Sequence, residues 1–196
     1  MKHNITALIT AAGFSSRMGA FKPLLLYYGK SFLVNIIDKL NPICDKIVVV
    51  TGYKASLIET ELKSLPENDK IQTVFNNNFK DGMFSSLQVG LNNSLDSDWI
   101  LYHFIDQPNL QTKFYEDLFS QIEDSFDWIQ PQFDQKSGHP ILLNKRMISI
   151  ISSLSKTSNL KEISSQTDIR KKYWNCNHPE ILNDVDTVDN YIKLIM

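Results

Sequence analysis

The chain has 196 residues and a mass of 22.5 kDa, and 42% of its residues are hydrophobic. This is enough apolar material for one sizeable core, so we expect a single domain over residues 1–196. A net charge of −2 and a pI near 6.1 argue against a nucleic acid as partner, because duplex-binding proteins carry a basic excess. No segment approaches the roughly 18 apolar residues of a membrane span, and no signal-type leader is visible, so we expect a cytoplasmic protein with no membrane partner. Cys44 and Cys176 show neither disulfide-framework nor metal-type spacing, and both are expected to be reduced.

Hydrophobic periodicity predicts that strands and helices alternate along the first two thirds of the chain. In chain order, the pattern predicts a strand at 5–9, a helix at 32–40 capped by Ser31, a strand at 46–51, a helix at 55–65, a strand at 70–75, a helix at 85–95, a strand at 99–105, a helix at 114–122 and a short strand at 128–130. This alternation implies an α/β fold with three layers, in which helices cover both faces of a doubly wound, mainly parallel sheet.

The pattern changes beyond residue 132. Pro140 precedes a short apolar run at 141–143, and a proline that opens a strand is expected at a sheet edge or at the first position of the strand. A helix at 145–154, a strand at 171–176 and a closing helix at 187–195 complete the prediction. No repeat, linker or low-complexity tract indicates a second domain.

The most informative stretch is residues 10–25, TAAGFSSRMGAFKPLL, which follows the first predicted strand. Ala11, Ala12 and Gly13 allow a sharp turn that brings backbone N–H groups against an anion. Arg17 and Lys22 would bring positive charge to the same place, so the stretch is typical of a triphosphate-binding loop. An ordinary solvated loop between strand and helix is the alternative. The glycine spacing and the lack of a Lys-Ser/Thr pair exclude a dinucleotide fingerprint and a Walker phosphate loop.

Polar residues after later strands are further candidates, because ligands of open α/β sheets bind at the carboxyl ends of the strands. Asp106 follows the strand predicted at 99–105, where a carboxylate can hold a divalent ion or cap a turn. Ser85 and Ser86 by themselves indicate N-caps of the following helix, and Asp186 or Thr187 can cap the last helix in the same way.

Five separated motifs resemble the family of molybdopterin cytidylyl- and guanylyltransferases. Residues 10–25 resemble the signature Leu-Ala-Ala-Gly-x-Ser-x-Arg-Met-Gly-x-x-Lys-x-Leu-Leu and depart from it at Thr10. Residues 82–91, Asp-Gln-Pro at 106–108, Gly-His-Pro at 138–140 and Asp-Val-Asp-Thr at 184–187 resemble the other four motifs. Ile105 stands where the family commonly has glycine, and Val188 where it has proline. The resemblance implies the Rossmann-like nucleotidyltransferase fold of the nucleotide-diphospho-sugar transferases.

The resemblance also implies a role for each matching residue. Nucleotide binding falls on Ala11, Ala12, Gly13, Ser15, Arg17, Lys22 and Ser86. Catalysis falls on Arg17, Lys22 and Asp106, and Mg²⁺ binding on Asp106 and Asp186. His139 lies in the motif beside the acceptor site, so it either contacts substrate or, like the strand residue His103, is a structural hydrogen-bonding group.

The implied reaction is nucleotidyl transfer, in which an acceptor phosphate attacks the α-phosphorus of a nucleoside triphosphate and pyrophosphate leaves. Ala12 favours CTP, because the guanylyl branch tends to carry Ala-Gly-Gly. The expected partners are therefore CTP and molybdopterin, with a molybdenum enzyme as a potential downstream partner, while sugar phosphates and other phosphorylated acceptors remain open. An inactive nucleotide-binding regulator is disfavoured by intact Lys22, Asp106 and Asp186, and a dinucleotide-dependent redox enzyme by the glycine spacing.

Overall fold

The computed structural model describes residues 3–66, 69–155 and 158–196. The described residues form ten strands: β1 Ile5–Thr10, β2 Leu26–Tyr27, β3 Lys30–Ser31, β4 Lys46–Thr51, β5 Ile71–Phe75, β6 Trp99–Phe104, β7 Trp128–Phe133, β8 Lys136–Ser137, β9 Ile141–Asn144 and β10 Lys171–Asn175. They also form seven α-helices: α1 Phe32–Leu40, α2 Ala55–Lys63, α3 Met83–Asn92, α4 Thr112–Phe119, α5 Lys145–Ser153, α6 Leu160–Ser164 and α7 Val188–Ile195. Short 3-10 helices lie at Lys22–Leu24, Phe79–Asp81 and Pro179–Leu182.

The main sheet has the spatial order β10-β7-β9-β6-β1-β4-β5, and β8 pairs with β7. β6, β1, β4 and β5 are parallel neighbours, whereas β9 runs antiparallel to both β6 and β7. The carboxyl ends of the four parallel strands and the beginning of β9 therefore lie along the same line of strand ends, which we call the carboxyl edge of the sheet. The loops at that edge form the candidate site described below.

Helices cover both faces of this sheet, which confirms the predicted three-layer α/β architecture. α1 and α4 place Ile36 and Phe114 in a buried cluster with Ile9 of β1. On the opposite face, α3 places Leu87 in a second cluster with Leu8, and α5 joins that cluster. Leu8 and Ile9 are adjacent and fully buried because successive strand residues point to opposite faces, and both faces are covered.

Two local interpretations of the sequence are corrected. β9 lies inside the sheet, between β7 and β6, so the sheet edge was the wrong one of the two places expected for its proline. Pro140 instead stands directly before the first residue of the strand and removes no donor from its ladder. α3 begins at Met83 after Gly82, whose φ of 96° suits glycine, and no side chain caps it. Ser85 and Ser86 are therefore not the N-caps that the sequence suggested.

The structure also contains short elements that local patterns did not predict: the β2–β3 hairpin, β8 and α6. Each is only two to five residues long, too short to carry a periodic signal. Among the described residues, no helix combines the length and the apolar character needed to cross a membrane.

Candidate active site

The loop after β1 is held to the sheet at one end and closed on itself at the other. The Ala11 N–H donates to the Val50 carbonyl oxygen of β4 at 2.9 Å. Ser15 has a left-handed φ of 56°, and its Oγ accepts a hydrogen bond of 3.1 Å from the backbone N–H of Lys22. Because this bond spans the loop from Ser15 to the 3-10 helix, it sets the position from which the Lys22 side chain projects.

Lys22 lies between two carboxylates that are remote from it in the sequence. Its Nζ is 2.6 Å from Asp186 Oδ1 and 3.5 Å from Asp106 Oδ2. Arg17 contacts the other oxygen of Asp186, with Nη1 2.8 Å from Oδ2. The Lys22 side chain is 9% exposed and that of Arg17 is 73% exposed. The lysine is thus a fixed charge within the site, and the arginine is a mobile charge at its rim.

The pKa values of the three nearby carboxyl groups are shifted in different directions. Burial raises the pKa of Asp106 to about 6, opposed by the charge of Lys22 and assisted by the charges of Asp184 and Asp186. The hydrogen bond from Lys22 lowers the pKa of Asp186 below its ordinary value. Burial raises the pKa of Asp184. Such opposed shifts within one cavity are typical of functional sites.

The donors present suit a hard divalent cation that also binds substrate oxygens. Asp106 Oδ1 is buried and has no hydrogen-bond partner among the described protein atoms, so this oxygen can bind a cation. No set of three or more His, Cys, Asp or Glu side chains in the described ranges could hold a metal ion. Mg²⁺ commonly takes only one or two carboxylates and completes its coordination with phosphate oxygens and water. Asp106 and Asp186, both in contact with Lys22, therefore fit an ion that binds with a nucleotide.

Gln107 and Asp184 complete this edge of the site, and neither was singled out from the sequence. Gln107 is fully buried, and its Nε2 donates to Asp184 Oδ1 and to the Ile181 carbonyl oxygen, each at 2.9 Å. The backbone N–H of Val185 donates to the Asp106 carbonyl oxygen at 2.9 Å. These bonds tie the segment that carries Asp184 and Asp186 to the end of β6. The only signal for Gln107 and Asp184 in the sequence was that each lies inside one of the motifs, at 106–108 and 184–187.

Ser86 of α3 and His139 before β9 both line the cavity that holds the charged centre. Ser86 Oγ accepts a hydrogen bond of 3.0 Å from Asn76 Nδ2, which fixes the serine at the cavity wall. The centroid of the His139 ring lies 4.4 Å from that of the Phe104 ring, and its Nδ1 is buried without a hydrogen-bond partner in the part of the chain that the structure describes. Burial lowers the pKa of His139 to about 4, so the imidazole is neutral at physiological pH. His103 instead bonds the Tyr115 hydroxyl group at 2.7 Å inside the core, in agreement with a structural role.

A cavity of about 560 Å³ connects these groups, within the usual size range of small-ligand sites. All the residues predicted to form the site line it: Ala11, Ala12, Gly13, Ser15, Arg17, Lys22, Ser86, Asp106, His139 and Asp186. The cavity wall also includes residues for which the sequence predicted no role in the site: Phe14, Phe79, Lys80, Phe104 and Asp184. The fold thus gathers motifs from the whole length of the chain around one opening.

A doubly wound α/β sheet with a charged loop and carboxylates at the carboxyl ends of its parallel strands is typical of the class of α/β proteins that bind nucleotides at that place. Residues 7–171 match the family described as MobA-like NTP transferase domain. The chain belongs to this family of nucleotidyltransferases, which confirms the resemblance seen in its motifs.

Individual relatives agree with this assignment. The chain is 26% identical over 188 residues to the molybdenum cofactor cytidylyltransferase of Escherichia coli K12, covering 96% of this chain and 94% of the relative. Among solved structures, a nucleotidyl transferase from Methanothermobacter has a TM-score of 0.82 and 20% identity, covering 97% of this chain and 95% of its own. The manganese complex of Rv0371c from Mycobacterium tuberculosis has a TM-score of 0.74 and 19% identity, with 98% of each chain covered. The two structures show the shared fold.

Proposed function

We propose that this nucleotidyltransferase moves CMP from CTP to the phosphate group of a molybdopterin acceptor and releases pyrophosphate. The observation that carries the transfer is the convergence of Arg17, Lys22, Asp106 and Asp186 in one cavity beside the loop after β1. The choice of CTP is supported by Ala12 in the cavity wall and by the similarity to the cytidylyltransferase of Escherichia coli. Other phosphorylated acceptors are compatible with the same charged centre.

The proposed reaction requires the enzyme to position two anions and offset their charge. An oxygen of the acceptor phosphate forms a bond to the α-phosphorus of CTP, and the bond from that phosphorus to the pyrophosphate oxygen breaks. The acceptor phosphate is already anionic, so no general base is needed. Lys22 exchanges its contact with Asp186 for a phosphate oxygen, and the exposed Arg17 folds onto the outer phosphates.

Asp106 and Asp186 are the residues that would hold Mg²⁺, which when bound would neutralise charge on the phosphate oxygens. Asp106 supplies a buried oxygen, Oδ1, that has no hydrogen-bond partner among the described residues, and Gln107 and the backbone of Val185 keep the two acidic segments together. We assign the acceptor to the side of the cavity near His139. Because its imidazole is neutral, it can hydrogen-bond a polar ring without adding charge.

Calorimetric titration of CTP, GTP, UTP and ATP in the presence of Mg²⁺, with wild-type protein and Asp106→Asn, tests the nucleotide assignment. We expect CTP to bind most tightly and the variant to lose the Mg²⁺-dependent part of that affinity. Pyrophosphate release on addition of molybdopterin then tests the acceptor. A preference for GTP or UTP would overturn the cytidylyl assignment and retain nucleotidyl transfer. Absence of binding for all four nucleotides would overturn the proposed function as a whole.

A further inference from the structure

One side of the cavity carries aromatic side chains that the proposed phosphate chemistry does not use. Phe14 lies in the loop after β1 and is 46% exposed. Its ring centroid is 5.1 Å from that of Tyr53 and 5.4 Å from that of Phe79, and both pairs are tilted. Phe14 and Phe79 line the cavity, while Tyr53 supports Phe14 from outside it. We call Phe14, Tyr53 and Phe79 the aromatic wall.

The aromatic wall is held in place by its surroundings. A Cβ atom added to Gly52 would lie 2.6 Å from Phe79 Cβ and 2.9 Å from Ala12 Cβ, so the Phe79 ring packs directly on the backbone after β4. On the outer side, the Lys54 ammonium lies 5.3 Å from the centroid of the Tyr53 ring. Phe14 therefore has fixed neighbours, although almost half of its surface remains exposed.

The strand order decides which ligand group can reach this wall. The loop after β1, which carries Lys22, stands at the middle of the edge. Gly52 and Phe79 follow β4 and β5 on one side, and Asp106 and His139 lie at β6 and β9 on the other. A triphosphate held at the centre therefore leaves one side of the cavity for the nucleoside and the other for the acceptor.

We propose that Phe14 and Phe79 form the stacking site for the base of the nucleoside triphosphate, with the Phe14 ring as its main contact. This inference rests on the proposed nucleotidyl transfer and adds to it a specific binding surface. Position 14 is a variable position of the loop signature, so the family resemblance assigns it no role. Stacking on an aromatic ring is tolerant of base identity, because every base has a π-face. The aromatic wall thus supplies affinity for any of the four bases.

The test compares Phe14→Leu with Phe75→Leu by calorimetry in the presence of Mg²⁺, using CTP and inorganic triphosphate as ligands. Phe75 is a matched control because it is 47% exposed and its ring lies 6.5 Å from that of Phe79, but it does not line the cavity. We expect Phe14→Leu to weaken CTP binding about tenfold and to leave triphosphate binding unchanged. Phe75→Leu should alter neither affinity. The order of preference among the four nucleotides should be the same in Phe14→Leu as in the wild type.

Proton NMR gives a second readout that a loop defect would not reproduce. Stacking on Phe14 should shift the cytosine ring protons of bound CTP upfield, and this shift should shrink in Phe14→Leu. The Phe79 ring belongs to the same aromatic wall, so Phe79→Leu should also weaken CTP binding. This second variant replaces Phe14→Leu in the test if Phe14→Leu is poorly folded.

Each remaining outcome overturns the inference, and the outcomes are distinguishable. Unchanged CTP affinity in Phe14→Leu would rule out base stacking on Phe14 and would not contradict the proposed nucleotidyl transfer. Equal losses for CTP and inorganic triphosphate would show that Phe14 only shapes the loop. Unchanged CTP affinity with impaired use of the acceptor would assign the aromatic wall to the acceptor. A wild-type protein that binds no nucleotide would overturn both the inference and the proposed function.

Discussion

Replacement of Asp106 by asparagine should make the metal-free protein more stable at neutral pH while removing its activity. The pKa of Asp106 is raised by burial from its ordinary 3.8 to about 6 in the folded protein. At roughly 1.4 kcal/mol per pH unit, this interval corresponds to about 3 kcal/mol by which the ionised carboxylate destabilises the fold. Its side chain is 21% exposed, so solvent screening only modestly reduces this value.

The sign of the pH dependence follows from the raised pKa. The folded state binds the proton more tightly than the unfolded state, so wild-type stability falls as the pH rises from about 4 to about 7 because of this group. Asparagine has nearly the shape of the protonated acid and does not titrate. The stability difference between Asp106→Asn and wild type should therefore be small below pH 4 and approach about 3 kcal/mol above pH 7.

Urea unfolding in EDTA, followed by tryptophan fluorescence across this pH range, measures the difference directly. Asp186→Asn is the matched control, because its change in the free energy of unfolding should have the opposite sign. Its pKa is lowered by the Lys22 hydrogen bond, so its charge stabilises the fold above the unfolded pKa and this contribution is lost at low pH. Asp186→Asn should thus be less stable than wild type at pH 8. An Asp106→Asn protein that is no more stable than wild type at pH 8 would refute the argument that this buried carboxylate is energetically costly.

Three further predictions test the site and its supporting structure. Lys22→Met should lower kcat by at least about a hundredfold in a pyrophosphate-release assay, since the proposed mechanism makes its buried ammonium group a phosphate contact, and a tenfold or smaller loss would contradict this role. Gly90→Ala should destabilise the protein by about 1–3 kcal/mol in urea, because the added methyl group would overlap the Leu8 side chain, and an unchanged midpoint would contradict the close packing. Arg170→Met should lower the urea unfolding midpoint, because the fully buried Asp127 loses two hydrogen bonds from this guanidinium and keeps Arg146, Asn144 and a backbone N–H, whereas an unchanged midpoint would show that these remaining partners suffice.

Local sequence patterns determined most of the sheet and its helices. The helix at Phe32–Leu40 and the strand at Lys46–Thr51 have the predicted bounds, because a serine cap and a run of β-branched residues are signals contained within the segments themselves. The start of α3 was displaced because Gly82, with its positive φ, begins the turn before the two serines. The interior place of β9 could not be read from its own residues, since strand order depends on pairing partners elsewhere in the chain.

The motifs likewise determined which residues surround the cavity, and only the tertiary structure decided how they interact. Lys22 is 84 positions from Asp106 and 164 from Asp186, yet one ammonium group contacts both carboxylates. Neither this pairing nor the raised pKa of Asp106 is encoded locally, because both depend on burial at the shared edge of four parallel strands. The aromatic wall was missed for the same reason. Phe14 and Phe79 show no common pattern in the sequence, and they meet only because β1, β4 and β5 are neighbours in the sheet.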